Sequence, residues 1–87
     1  MTEEEERVRI LRDLEAGNFV VPSGGHGYQR MRVRGVQVND IKNAARKYFD
    51  CFRQANGNWK VAGPDLDGED LTIVCVYDGE TIIVTVF

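Results

Sequence analysis

The chain has 87 residues, two cysteines, one histidine and a formal net charge of −3. That length allows one small domain with a limited core, and a hydrophobic content of 43% is ordinary for a folded protein and excludes general disorder. No apolar run approaches the roughly twenty residues of a membrane span, and Thr2 with four glutamates after Met1 is the opposite of a secretory signal, so a cytoplasmic protein of bacterial style is expected.

Thr2 with Glu5 makes a capping-box pattern, and the early glutamates suit the positive end of a helix. Val8, Ile10, Leu11 and Leu14 recur at helical spacing, and Gly17 is a stop. A first helix is expected over residues 3–16. Asn18 to Pro22 reads as an extended connection or short strand, and Ser23-Gly24-Gly25 as a loop. A second helix is expected over 26–34, ended by Gly35, and a third over 39–48. In the third, Ile41, Ala44, Ala45 and Tyr48 form the buried stripe, and Lys42, Arg46 and Lys47 the wet side.

From Phe49 the period changes to two, and Asn56-Gly57 is a tight hairpin signal. Strands are expected over 49–54, 58–63, 71–77 and 81–87, with Asp78-Gly79 turning between the last two. The fold class is α+β. One domain spans 1–87, its N-terminal helices packed on one face of a roughly four-stranded antiparallel meander. An exposed final strand would be free to pair with a second copy, so monomer and dimer both stay open.

Cys51 and Cys75 sit in apolar, strand-like runs and read as small buried thiols. Without a secretory signal, a disulfide is not the default. Two cysteines and one histidine without paired spacing fall short of a structural zinc site, so no metal and no cofactor are expected. Asp65-Leu66-Asp67-Gly68-Glu69-Asp70 has some likeness to a calcium loop but joins two strands, and a solvated turn is the expectation. Charge is segregated: residues 22–60 carry eight basic and two acidic side chains, while residues 61–87 carry six acidic and no basic ones. The central block can gather phosphates if folding brings it to one face; otherwise the blocks pair or lie solvated.

The chemistry-bearing stretch runs from His26 to Val36. It places His26, Arg30 and Arg34 four residues apart, on one side of a helix. Imidazole changes charge near neutral pH and can move protons; guanidinium neutralises phosphate through bidentate contacts. Each residue also has a plain structural use. His26 can cap the helix start, Arg30 can pair with Asp65 or Asp67, and Arg34 can complement the helix end. Tyr28 can stack on a base or pack at the helix edge, and Lys60, beside Trp59, can touch phosphate.

The pattern His26, Arg30-Met31, Arg34-Gly35-Val36 and Asp40-Ile41, with the later hairpin, apolar strand and terminal Thr85-Val86-Phe87, resembles the bacterial domain of unknown function family numbered 4258. The first helix and Gly17 fit the same pattern. That family is similar in fold to RelE-type, colicin-type and barnase-type ribonucleases, small metal-independent toxins that cut RNA (the BECR fold group). The resemblance implies a toxin–antitoxin context and an endoribonuclease in which His26 moves protons, Arg30 and Arg34 hold the phosphate, and Thr85 orients His26 or donates to phosphate. It also implies RNA as substrate and an inhibitory antitoxin- or immunity-type protein as partner. The alternative is a non-catalytic protein- or RNA-binding module of the same fold, which the acidic ends of the chain would suit.

Overall fold

The computed structural model describes residues 1–87. Helix α1 (Glu3–Ala16) is followed by β1 (Phe19–Val20), α2 (His26–Arg34) and α3 (Val38–Arg46), then β2 (Asp50–Arg53), β3 (Trp59–Pro64), β4 (Asp70–Tyr77) and β5 (Thr81–Val86). The class is α+β as expected, with one difference in the sheet. It has five strands in the order β1-β5-β4-β3-β2. The β2-β3-β4-β5 meander is antiparallel, and β1 adds to β5 in parallel, with Phe19 opposite Thr81 and Val20 opposite Ile82. Two residues suffice because Phe19 also packs its ring against the core. The final strand is therefore interior to the sheet, and β2 is the edge strand at the far end.

Local signals explain the helices. Thr2 and Glu5 form the reciprocal capping box of α1, and Gly17 closes it in a left-handed conformation at φ 78°. Helix α3 starts on Gln37, whose main-chain N–H donates to Asp40 Oδ2 at 2.9 Å. It ends at Arg46, short of residue 48. Tyr48 is thus a correction: it lies outside the helix, exposed, with its hydroxyl accepting from Arg7 Nη2 at 2.6 Å.

The core lies on one face of the sheet. Cross-strand rows Trp59–Cys75–Ile83 and Val61–Ile73–Val86 are buried under Ile10 and Leu14 of α1 and Ile41, Ala44 and Ala45 of α3. Each large apolar side chain fully buried there contributes roughly 1.5–3 kcal/mol. Contact between α3 and β3 reaches the backbone: a Cβ at Gly63 would stand 2.2 Å from the Ala44 carbonyl oxygen. Two polar ties cross the core. Thr81 Oγ1 donates to Asp13 Oδ2 at 2.8 Å, and Trp59 Nε1 donates to Glu6 Oε1 at 2.8 Å.

The acidic loop after β3 is a hydrogen-bonded turn. Asp65 Oδ1 accepts from the N–H groups of Asp67 and Glu69, Asp40 Oδ1 accepts from Leu66, and Asn43 Nδ2 donates to the carbonyls of Pro64 and Asp65. Its carboxylates organise main chain, which agrees with the solvated-turn expectation.

Candidate functional site

Helix α2 lies against the part of β5 that β1 leaves uncovered. The contact is made by Gly27, where a Cβ would stand 2.8 Å from the Val84 carbonyl oxygen and 3.3 Å from that of Ile83. Next to it, Met31 and Val36 pack on the core side. A helix turns about 100° per residue, so the line His26–Arg30–Arg34 falls on the flank away from Tyr28 and Arg32. That flank adjoins the sheet face opposite the core. Three of the predicted residues therefore do share one side of a helix.

Their occupations differ. His26 is exposed, and α2 begins on Gly25 with no side-chain cap bond, so His26 is not spent as a cap. Arg30 is exposed. The ion pairs of the molecule, Arg7–Glu4 and Arg9–Asp13, both lie within α1, so Arg30 is not tied to Asp65 or Asp67. Arg34 is partly engaged: its Nη2 donates to the Asp70 carbonyl and fastens the end of α2 to the start of β4. The other guanidinium N–H groups retain their donor capacity.

The second group stands on the sheet face that no core residue covers. Lys60, Val74 and Thr85 form one cross-strand row, with Phe52 at its β2 end. Residues opposite one another in a sheet share a face, so Lys60 and Thr85 flank Val74, which they help to bury to 7% exposure. Lys60 and Thr85 are themselves half-buried. Lys60 Nζ lies 5.2 Å from the centroid of the Phe87 ring, a cation–π contact. Thr85 sits beside a β-bulge between Val74 and Cys75, a device that re-aims side chains. Asp50 and Asp70 mark the acidic margins of this face.

Tyr28 does not join them. Its ring lies 6.0 Å from the Arg32 guanidinium, and it lines a shallow apolar depression with Val21, Met31 and Val36 on the other flank of α2. His26, Arg30 and Arg34 line none of the surface depressions of the molecule, so their side of α2 is an open surface. No group of three or more histidine, cysteine, aspartate or glutamate side chains is gathered to hold a metal ion. Both cysteines are free thiols directed to the helix-covered side. Burial pushes the Cys75 thiol up to about 12. It also raises that of Cys51, against the opposing influence of Arg7.

The His-Arg-Arg-Gly pattern now divides into two kinds of residue. Met31, Val36 and Ile41 pack in or against the core, Gly35 ends α2, Asp40 caps α3 and holds the next turn, and Arg34 latches α2 to β4. Only His26 and Arg30 have no such task. Sequence reasoning missed Gly27, although a glycine inside a helix costs about 1 kcal/mol relative to alanine and so signals a close approach. It also missed Phe52 and Phe87 as members of the open face; their period-two positions carried that information.

No curated protein matches the chain, and no solved structure does. A family model described as "Domain of unknown function (DUF4258)" matches residues 24–87, from the loop before α2 to the end of β5. Helix α1 and Gly17 precede the matched region, so the expected likeness of the first helix to the family lies outside it. The match takes in α2 with His26 and Arg30, α3 and the whole meander, and the chain belongs to the DUF4258 family.

Proposed function

We propose that this domain is a metal-independent endoribonuclease of the RelE/barnase/colicin kind. The observation that carries the reading is the pair His26 and Arg30. They are the two members of the family pattern without structural work, both exposed and one helical turn apart, on the flank of α2 that borders the open sheet face. In this mechanism His26 removes the proton of a ribose 2′-hydroxyl. The 2′-oxygen attacks the adjacent phosphorus and the bond to the 5′-oxygen breaks, leaving a 2′,3′-cyclic phosphate end, while a proton from solvent water completes the departing 5′-hydroxyl. Arg30, with the free N–H groups of Arg34, neutralises charge that grows on the phosphoryl oxygens. Thr85 donates its hydroxyl to phosphate or orients His26. Lys60 meets a neighbouring phosphate, and Tyr28 stacks on a base farther along the strand. The partner implied is an inhibitory protein of antitoxin or immunity type.

A non-catalytic protein- or RNA-binding module is the second reading. It is favoured by the open surface around His26, Arg30 and Arg34, since a polymer can lie across such a surface without a cleft. Cleavage of mixed-sequence RNA with chelator present decides between them. Wild type is expected to leave 2′,3′-cyclic phosphate ends, and His26→Ala to be slower by about 10²–10⁴-fold, the usual contribution of a positioned proton-transfer group. RNA that is bound but left intact by folded wild type would favour the module.

A further inference from the structure

We propose that the depression on the Tyr28 flank of α2 is a nucleobase pocket, and that Arg32 makes it select guanine. This rests on the ribonuclease reading, which supplies the RNA; it adds which base is held and by which group. The depression has a volume of about 280 Å³ and is lined by Val21, Tyr28, Met31, Arg32 and Val36. That is just below the roughly 300–1,000 Å³ of sites for drug-sized molecules, so it suits a single flat ring system. Val21, Met31 and Val36 pack against the core and give it a fixed apolar floor. Tyr28, 41% exposed, offers an aromatic face beside that floor.

Charge narrows the occupant. Arg32 is the one charged residue of the lining, and α2 carries three arginines and no carboxylate. The ion pairs of the molecule lie within α1, and its arginine hydrogen bonds belong to Arg7, Arg9, Arg34 and Arg46, so Arg32 keeps its donors. An aliphatic side chain would fill the floor and leave this cation unmatched. A nucleotide brings both a flat ring and a negative charge.

The base follows from the donors. A guanidinium lying flat on a ring comes to van der Waals distance, about 3.5–4.0 Å. The Arg32 guanidinium lies 6.0 Å from the Tyr28 centroid, so it does not close the ring face to a stacked base. A base stacked there meets the arginine at its edge. Guanidinium has donors only, and guanine sets two acceptors, O6 and N7, side by side. Adenine and cytosine present an amino donor on the corresponding edge, and uracil a single oxygen. Tyr28 follows His26 by two residues, about 200° around the helix. An RNA with its scissile phosphate at His26 and Arg30 therefore crosses the start of α2 to reach the pocket, past Gly24 and Gly25, which put no side chain in its way.

Fluorescence anisotropy tests this with His26→Ala protein, which leaves RNA intact, and labelled uridine heptanucleotides whose central base is G, A, C or U. The G oligonucleotide is expected to bind about tenfold or more tighter than the others. Arg32→Lys keeps the charge and loses the fork, so all four should then bind alike. Tyr28→Ala should weaken all four by about fivefold or more. Both positions are exposed, and an unchanged thermal midpoint confirms that each variant is folded. Cleavage of the same RNAs by wild type separates the two readings. Cutting with equal binding of all four overturns the guanine pocket alone. Preference for G without cutting supports the pocket and overturns the ribonuclease step. Binding of none overturns both. A preference for another base, or one for G that survives Arg32→Lys, overturns the assignment to Arg32.

Discussion

Asp13 is a buried carboxylate whose partners come from two directions: the Thr81 hydroxyl on β5 and Arg9 Nε one turn earlier on α1, at 3.3 Å. Thr81 has no solvent exposure, so removing Asp13 leaves its hydroxyl dry and unpaired. Asp13→Ala is expected to lower stability by about 1–3 kcal/mol in urea unfolding, the cost of an orphaned buried polar group. Thr81→Val in that background should restore part of the loss, because both partners are then apolar. His26→Ala and Arg30→Ala stand at the other extreme: both sites are exposed and outside any bond network, so unfolding should change by less than about 0.5 kcal/mol. Lys60→Ala is expected to weaken RNA binding across sequences and to reduce the log–log salt slope by about 1, the signature of one lost phosphate contact. Burial, which holds the Cys75 thiol up at about 12, also gives it an expected outcome. Thiolate is the reacting species, so Cys75 should resist alkylation at neutral pH in the folded protein and react once urea unfolds it.

At the scale of elements, two glycines govern how helices meet the sheet. Nine-residue α2 is too short to persist alone in water, so its place depends on Gly27 against β5. Gly27→Ala forces a methyl group against the Val84 carbonyl, and the main chain must give way. A loss of about 1–3 kcal/mol is expected, the usual range for overpacking. RNA cleavage should fall with it, since His26 and Arg30 ride on the displaced helix. Gly63→Ala presses a methyl group into the Ala44 carbonyl between α3 and β3 and should be more damaging in the same unfolding assay. The start of α1 supplies a pH-dependent contribution. Hydrogen bonds with the side chain and main chain of Thr2 hold the Glu5 carboxyl below its ordinary value. A lowered carboxylate stabilises above its unfolded value and loses that contribution as pH falls through the folded one. Acidification should therefore loosen the first turn of α1, and Thr2→Ala should flatten that dependence.

At the scale of the whole molecule, one sheet face is a core and the other a surface. The core face was legible in the sequence: period-two apolar residues in β3 and β4, and helical-period residues in α1 and α3, mark its members wherever they end up in space. Helix ends were legible for the same local reason, since the Thr2–Glu5 box and Gly17 act within a few residues of themselves. Less was legible where contacts join distant segments. Asn18 to Pro22 reads locally as an extended connection or a short strand, and only pairing with Thr81 and Ile82, far along the chain, makes Phe19 and Val20 a strand. Tyr48 continued the apolar stripe of α3, but Arg7 of another helix holds its hydroxyl outside the core. Likewise, spacing alone put His26, Arg30 and Arg34 on one flank of α2, because helical geometry is local. Only the tertiary structure decided that Arg34 serves the Asp70 carbonyl, that Tyr28 faces away, and that Lys60 and Thr85 share one row. Those outcomes depend on strand register and on the close approach of α2 to β5, which arise when the chain closes on itself.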